Sequence, residues 1–304
     1  MTKKPALKDV AALLPEASNL QEIATGGYKV VYQGQIAGKT EAIKCVHIPS
    51  QNGNGNGNGH AEDAGSIRAE NLRRIYREIE ILGKCRTPYL VKLGSLAPRE
   101  CDINQERYVI YSEEYISGES LRIKIKANHR PALAELTGLA GCLLHAVQEL
   151  AGENIIHRDI KPDNIIGTGQ AARPYVLLDL GIAFQVGGTQ ITRNTAHIPG
   201  TLYYIAPEML DAGFRQNLDY RADLYTIGLT LYEYGTGDNP FAHPKDPQYT
   251  TLYRIKTETP KPMAGLRPDL PPAFCELVEQ LMKKLPALRP ANIPSLLKRM
   301  EELR

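Results

Sequence analysis

The chain of 304 residues reads as an α+β protein with two unlike lobes, a small β-rich lobe followed by a larger, mainly helical one. Residues 20–48 alternate apolar and polar side chains with glycine punctuation, the pattern of paired antiparallel strands. Beyond residue 117 the apolar residues recur at helical spacing instead. Ser117-Gly118-Glu119 interrupts the chain where one pattern gives way to the other. Strands early and helices late define an α+β chain with its break near Ser117.

The elements follow in order. Residues 1–19 read as an N-terminal arm, with Leu7, Val10, Leu13 and Leu14 spaced for a short helix. The strands of residues 20–48 open the small lobe, 20–116. Four Asn-Gly repeats from Asn52 to Gly59 offer too little apolar surface to offset the entropy of ordering them, so residues 50–66 are expected to form a flexible loop. Leu72, Ile75, Ile79 and Leu82 then form one stripe of a helix over about 68–82. Strand-like runs at 89–96 and 107–115 complete the lobe. The large lobe, 117–304, contains a long helix whose stripe is Leu136, Leu139, Leu143, Val147 and Leu150, and a second helical run over 220–234.

Composition narrows the class. Hydrophobic residues make up 42% and charged residues 23%, values that exclude collagen-like, wholly disordered and disulfide-dense chains. A net charge of +2 gives no general attraction for nucleic acid or an anionic membrane. The five cysteines lack any C-x-x-C pair, which argues against a disulfide framework or a structural zinc site and for reduced thiols in a cytoplasmic protein. No apolar h-region follows Met1, and no stretch reaches about 18 uninterrupted apolar residues, so no membrane segment is expected.

Chemistry concentrates in a few segments. In Ile155-Ile156-His157-Arg158-Asp159-Ile160-Lys161-Pro162-Asp163-Asn164, Asp159 precedes Asn164 by five positions on a polar loop, which can set a proton acceptor beside a metal ligand. Twenty residues beyond Asp159, the buried-strand pattern Val176-Leu177-Leu178 ends in Asp179-Leu180-Gly181, which supplies a second hard oxygen ligand. Together these segments resemble the eukaryotic-type Ser/Thr protein kinase family, in the style of its prokaryotic branch, over residues 20–304. The resemblance implies the bilobal protein-kinase-like fold, with Asp159 as catalytic base, Lys161 near the transferred phosphate, and Asn164 and Asp179 as ligands of Mg²⁺, or of Mn²⁺ in its place.

The same resemblance assigns the small lobe. Ala42-Ile43-Lys44 matches the strand whose Lys grips the nucleotide phosphates. Glu78 and Glu80 point in different directions on a helix, and the family pattern Glu-x-x-Ile-Leu, in which the first Glu pairs, implies that Glu78 is its helical partner. The expected glycine-rich loop departs from its pattern: Ala24 and Lys29 stand at the first and third glycine positions, Gly26 at the central one, beside Gly27, with Val31 following. ATP contacts are therefore expected from Ala24, Gly26, Gly27, Val31, Ala42, Lys44 and Glu78, and from Glu114 and Ile116 in the adenine-contacting segment. Either Ser112 or Glu113 lies behind the adenine.

Downstream, Pro199-Gly200-Thr201-Leu202-Tyr203-Tyr204-Ile205-Ala206-Pro207-Glu208 resembles the end of an activation segment, with Thr201 docking substrate. Asp223 and Gly228 match the buried Asp and Gly of the helix beneath the catalytic loop, and Arg289 matches the late Arg that pairs with Glu208. Arg158 can order a phosphorylated segment, so autophosphorylation at Thr192 or Thr195 is expected, in a transient homodimer. The implied activity is ATP-dependent phosphorylation of protein Ser/Thr hydroxyls, with protein substrates and ATP as partners. An ATP-binding scaffold without catalysis, or an aminoglycoside-type small-molecule kinase, fits fewer of these residues.

Overall fold

A computed structural model describes residues 4–26, 28–48, 61–180, 201–211, 218–243 and 245–303. The described residues form two compact units, one from those within 4–85 and 91–116, the other from those within 86–90, 117–180 and 201–303. Among them, no helix is long and apolar enough to cross a membrane. All five cysteines are free thiols.

The small unit is a five-stranded sheet ordered β1-β2-β3-β5-β4, every neighbouring pair antiparallel: β1 (Ala17–Thr25), β2 (Lys29–Ile36), β3 (Lys39–Ile48), β4 (Arg99–Ile103) and β5 (Glu106–Glu114). Strand side chains alternate between faces. Ile43 and Cys45 of β3, with Tyr108 and Ile110 of β5, pack on one face with Val30 and Tyr32. Val46, Ile48, Val109 and Tyr111 pack on the other, against Ile75 and Ile79 of helix α2 (Ala61–Lys84). The two stripes that periodicity predicts therefore meet each other.

Three expectations change. The arm at 1–19 belongs to the small unit. Helix α1 (Leu7–Leu13) buries Val10, and Leu14 follows it, both 0% exposed and in the core with Tyr32 and Ile43. Of the loop expected over 50–66, residues 61–66 belong to α2, which begins at Ala61, and the rest lie outside the described residues. Ala61, Glu62 and Ala64 favour helix by propensity without adding to an apolar stripe, so periodicity alone starts the helix late. Finally, 89–96 is not a strand: only Leu90 and Leu93 make single bridges. Residues 86–90 belong to the large unit, where Glu149 accepts the Arg86 and Thr87 N–H groups. The strand pairing with β5 is β4 instead.

The large unit packs α4 (Leu133–Gly152), α5 (Arg221–Thr236), α8 (Pro272–Leu281) and α9 (Ile293–Glu302) against one another, with α6 (Gln248–Thr257) and α7 (Met263–Leu266) beside them. The stripe of Leu136, Leu139, Leu143, Val147 and Leu150 on α4 is fully or almost fully buried. Helix α5 is buried on all sides from Ala222 to Gly235, and Gly237, at φ +90°, closes its C-terminus. A small antiparallel sheet of β6 (Glu119–Ser120), β7 (Ile165–Gly167) and β8 (Tyr175–Leu177) adjoins α3 (Leu121–Lys126). The loop between α4 and β7 carries the His157-Arg158-Asp159 segment.

Candidate active site

In the large unit the fold bends this loop onto itself. The carboxylate of Asp223, at the start of α5 and 0% exposed, accepts the backbone N–H of His157 at 2.7 Å and of Arg158 at 2.8 Å. Burial pushes that carboxyl up to about 6, although the two N–H bonds and the Arg158 charge oppose the shift. Arg158 takes the left-handed backbone, φ +68°, a conformation costly for a side-chain-bearing residue outside a constrained loop. A short 3₁₀ turn, Pro162–Asn164, then brings Asn164 back beside Asp159.

Asp159 is held from two sides. Lys161 Nζ lies 2.8 and 2.9 Å from its carboxylate oxygens. The Asn164 amide donates to its Oδ2 at 2.8 Å and to its backbone carbonyl at 2.9 Å. Burial raises its pKa above the ordinary carboxylate value, against the lowering effect of Lys161 and Asn164. A base moved in that direction holds a proton better near neutral pH.

Asp179 joins the same group. The Leu178 N–H donates to the Asn164 carbonyl at 2.7 Å, tying the end of β8 to the loop. Asp179 itself adopts φ +51°, and its charge acts on both Asp159 and His157. Burial pushes the His157 imidazole down to about 4, so it is neutral at physiological pH. Asn164 spends its amide nitrogen on Asp159, which leaves a carbonyl oxygen. The Asp179 carboxylate is a second hard-oxygen donor, and oxygen donors of this kind suit a divalent cation.

In the small unit, alternation along β3 and β5 places Ala42, Lys44 and Glu113 on the face that α2 covers. The register is Ala42↔Glu113 and Lys44↔Tyr111, and Lys44 Nζ contacts Glu113 Oε1 at 2.5 Å with both side chains almost wholly buried. Glu78 reaches the same place from α2, buried, with a carboxylate oxygen within 4.8 Å of one on Glu113. Ser112 points to the opposite face and bonds Glu41 Oε2 at 2.5 Å and the Leu96 N–H at 2.9 Å. Of Ser112 and Glu113, the residue sharing the face of Lys44 is Glu113.

Ala24 and Val31 pair across β1 and β2, and the Gly26 N–H closes on the Lys29 carbonyl at 2.8 Å, so this stretch is a hairpin. Gly27 lies outside the described residues. The Glu114 N–H donates to Lys92 at 2.9 Å while its carboxylate accepts the Lys92 N–H at 2.8 Å; Ile116 is half-buried. Thr192 and Thr195 lie outside the described residues. Thr201 opens a 3₁₀ turn, Thr201–Tyr204, with its side chain outside them as well. Glu208 and Arg289 form a two-pronged ion pair at 2.7 Å on each prong.

The sequence reading missed two arrangements. One is the Lys44–Glu113 pair, which alternation along β5 could have exposed had its register been known. The other centres on Arg122 of α3, which bonds Asp163 at 3.1 Å, Glu233 at 2.6 Å and the Tyr204 hydroxyl. It gathers α3, the catalytic loop, the Tyr204 turn and α5, segments with no common spacing in the sequence.

The family profile of the protein kinase domain matches residues 18–300. The chain belongs to the protein kinase family. Its curated relatives include serine/threonine-protein kinase PknA of Mycobacterium tuberculosis, 32% identical over 216 residues, a match covering 70% of this chain and 42% of PknA. Serine/threonine-protein kinase pkn3 of Myxococcus xanthus is 32% identical over 187 residues, covering 59% of this chain and 33% of pkn3. The chain thus spans less than half the length of these relatives. Among solved structures, the PknI kinase domain of Mycobacterium tuberculosis matches with a TM-score of 0.62 at 19% identity, over 93% of this chain and 94% of that one. Rad53 1–466 in complex with AMP-PNP matches at 0.68 and 19%, over 94% and 65%. At such identities the structural matches establish the shared fold.

Proposed function

We propose that the chain is an ATP-dependent protein kinase that phosphorylates serine and threonine hydroxyls of proteins. The observation that carries this is the held Asp159, a buried carboxylate fixed by Lys161 and Asn164 with its proton affinity raised. Such a group orients an incoming hydroxyl and accepts its proton at a carboxylate oxygen as the oxygen–phosphorus bond forms and the bond to ADP breaks. Lys161 keeps the carboxylate in one rotamer and offsets negative charge beside it. Lys44 binds the nucleotide phosphates. Asn164 and Asp179 would hold Mg²⁺, with Mn²⁺ able to replace it, and the bound ion supplies neutralisation of the phosphate charge.

Preference for Ser/Thr over Tyr is supported by Lys161, by Thr201 and by the relatives, which are named serine/threonine-protein kinases. Autophosphorylation at Thr192 or Thr195, in a transient homodimer, follows from Arg158, whose guanidinium suits a phosphate of about −1.5 to −2 charge. The test incubates the protein with ATP, Mg²⁺ and a generic protein substrate, then maps phosphosites by mass spectrometry. Wild type should phosphorylate the substrate and itself, and Asp159→Ala should be slower by at least about 10²–10⁴-fold. A wild type that binds ATP and transfers no phosphate would be a scaffold, and the reading would fail.

A further inference from the structure

A lysine that must meet nucleotide phosphates needs an anchor, and β5 of this chain carries a carboxylate, Glu113, on the face of Lys44. Antiparallel pairing runs unbroken from Glu41↔Glu114 to Ile48↔Arg107. Lys44 and Glu113 are therefore diagonal neighbours on one face, a spacing that long side chains can bridge. Nζ and Oε1 lie 2.5 Å apart, with the side chains 5% and 3% exposed. The Tyr111 ring, 5.7 Å from Nζ at its centroid, flanks the ammonium. A carboxylate this deep is costly unless a cation stays beside it.

We propose that Glu113 is a positioning residue for Lys44, a sheet-borne anchor that holds the ammonium in place independently of helix α2. Glu78 depends on where α2 lies, and α2 meets the sheet through Ile75 and Ile79. Glu113 depends only on the hydrogen-bonded ladder that joins its strand to that of Lys44. The nearby Glu78 carboxylate is thus a second anchor, and neutralising it leaves Lys44 still held.

This inference rests on the kinase reading, so the test has one arm that needs no phosphotransfer. Glu113→Gln, Glu113→Met, Glu78→Gln and the double variant Glu78→Gln/Glu113→Gln are compared with wild type. A fluorescent ATP analogue is titrated in the presence of Mg²⁺, and kcat and KM for ATP are measured on a protein substrate; thermal melting confirms folding. The Gln variant keeps the shape of the side chain, and the Met variant fills the same volume without a polar atom, so either one that melts cooperatively suffices.

Loss of the Glu113 charge should weaken nucleotide binding and raise KM by about tenfold or more, the scale of one charge-assisted hydrogen bond. The kcat should stay within about threefold, and Glu78→Gln alone should shift KM less than about fivefold. The double variant should lose more than the product of the single losses. Unchanged or tighter nucleotide binding in the Glu113 variants, or Glu78→Gln as damaging as Glu113→Gln, overturns the proposal. If wild type binds nucleotide but transfers no phosphate, the kinase reading fails and the titration still decides the role of Glu113.

Discussion

Glu41 and Asp223 are both buried carboxylates, and their surroundings move them in opposite directions. Burial works against ionisation of Glu41, but bonds from Ser112, Ser95 and Leu96 outweigh it and leave the pKa below the ordinary value. A lowered native pKa adds stability that is complete above the unfolded value of 4.5 and is lost as pH falls from there through the lower folded value. Melting temperature should therefore drop on acidification below about pH 4.5, and Glu41→Gln should flatten that part of the profile. Asp223 is raised to about 6, so its ionisation costs stability as pH climbs from its unfolded value of 3.8 toward 6. It is a charge the fold carries in order to fix two backbone N–H groups of the catalytic loop. Gly94 completes the Glu41 network: an added Cβ would lie 2.5 Å from Glu41 Oε2 and closer still to Ser112 Oγ. Gly94→Ala should cost about 1–3 kcal/mol in chemical denaturation by forcing these atoms apart. None of this was legible in the sequence, where Glu41 and Gly94 sit in two separate strand-like runs more than fifty positions apart.

At the scale of elements, the long helices were legible and short elements such as α3 and β6 were not. The α4 stripe and the apolar side of α2 stand at their expected positions because one buried face leaves a clear period. Helix α5 is buried all round, so it was read from its residues rather than from a stripe. Its Gly228 shows what close packing demands, since a Cβ there would sit 2.8 Å from Leu281 Cβ and 2.9 Å from Met282 Cγ at the end of α8. The Leu281 atom is adjacent to backbone and cannot swing away. Gly228→Ala should push α5 from α8 and cost about 1–3 kcal/mol, measured as a lower denaturation midpoint with the slope unchanged. The failure at 89–96 has a physical cause as well: its apolar residues suit a strand, but its backbone is divided, the Tyr89 carbonyl accepting the Leu177 N–H at 2.8 Å in the large unit and the Gly94 N–H donating to the Ser112 carbonyl at 2.8 Å in the small one.

Each unit has its own core, and the chain passes from the first to the second and back at 86–90 before entering the second again at Ser117. Arg289 illustrates how the large unit unites segments distant in sequence. Its five N–H donors are all used, on Glu208, Arg221, Lys283 and Lys284, while its guanidinium lies over the Tyr225 ring at 5.0 Å. Arg289→Ala would leave Glu208 without that partner and should cost about 3–5 kcal/mol. Arg289→Lys should recover only part of this, because an ammonium cannot reproduce the planar fork; equilibrium denaturation of both variants checks it. The sequence by itself determined the two unlike lobes, the order of the chemical motifs and the family, because motif residues keep fixed spacings and amphipathic faces repeat at fixed periods. Only the tertiary structure decided that Glu113 contacts Lys44, that Arg122 joins four segments, and that the N-terminal arm belongs to the core. Those outcomes depend on strand register and on packing between elements, and no local spacing in a chain encodes which distant residue will fill a given place.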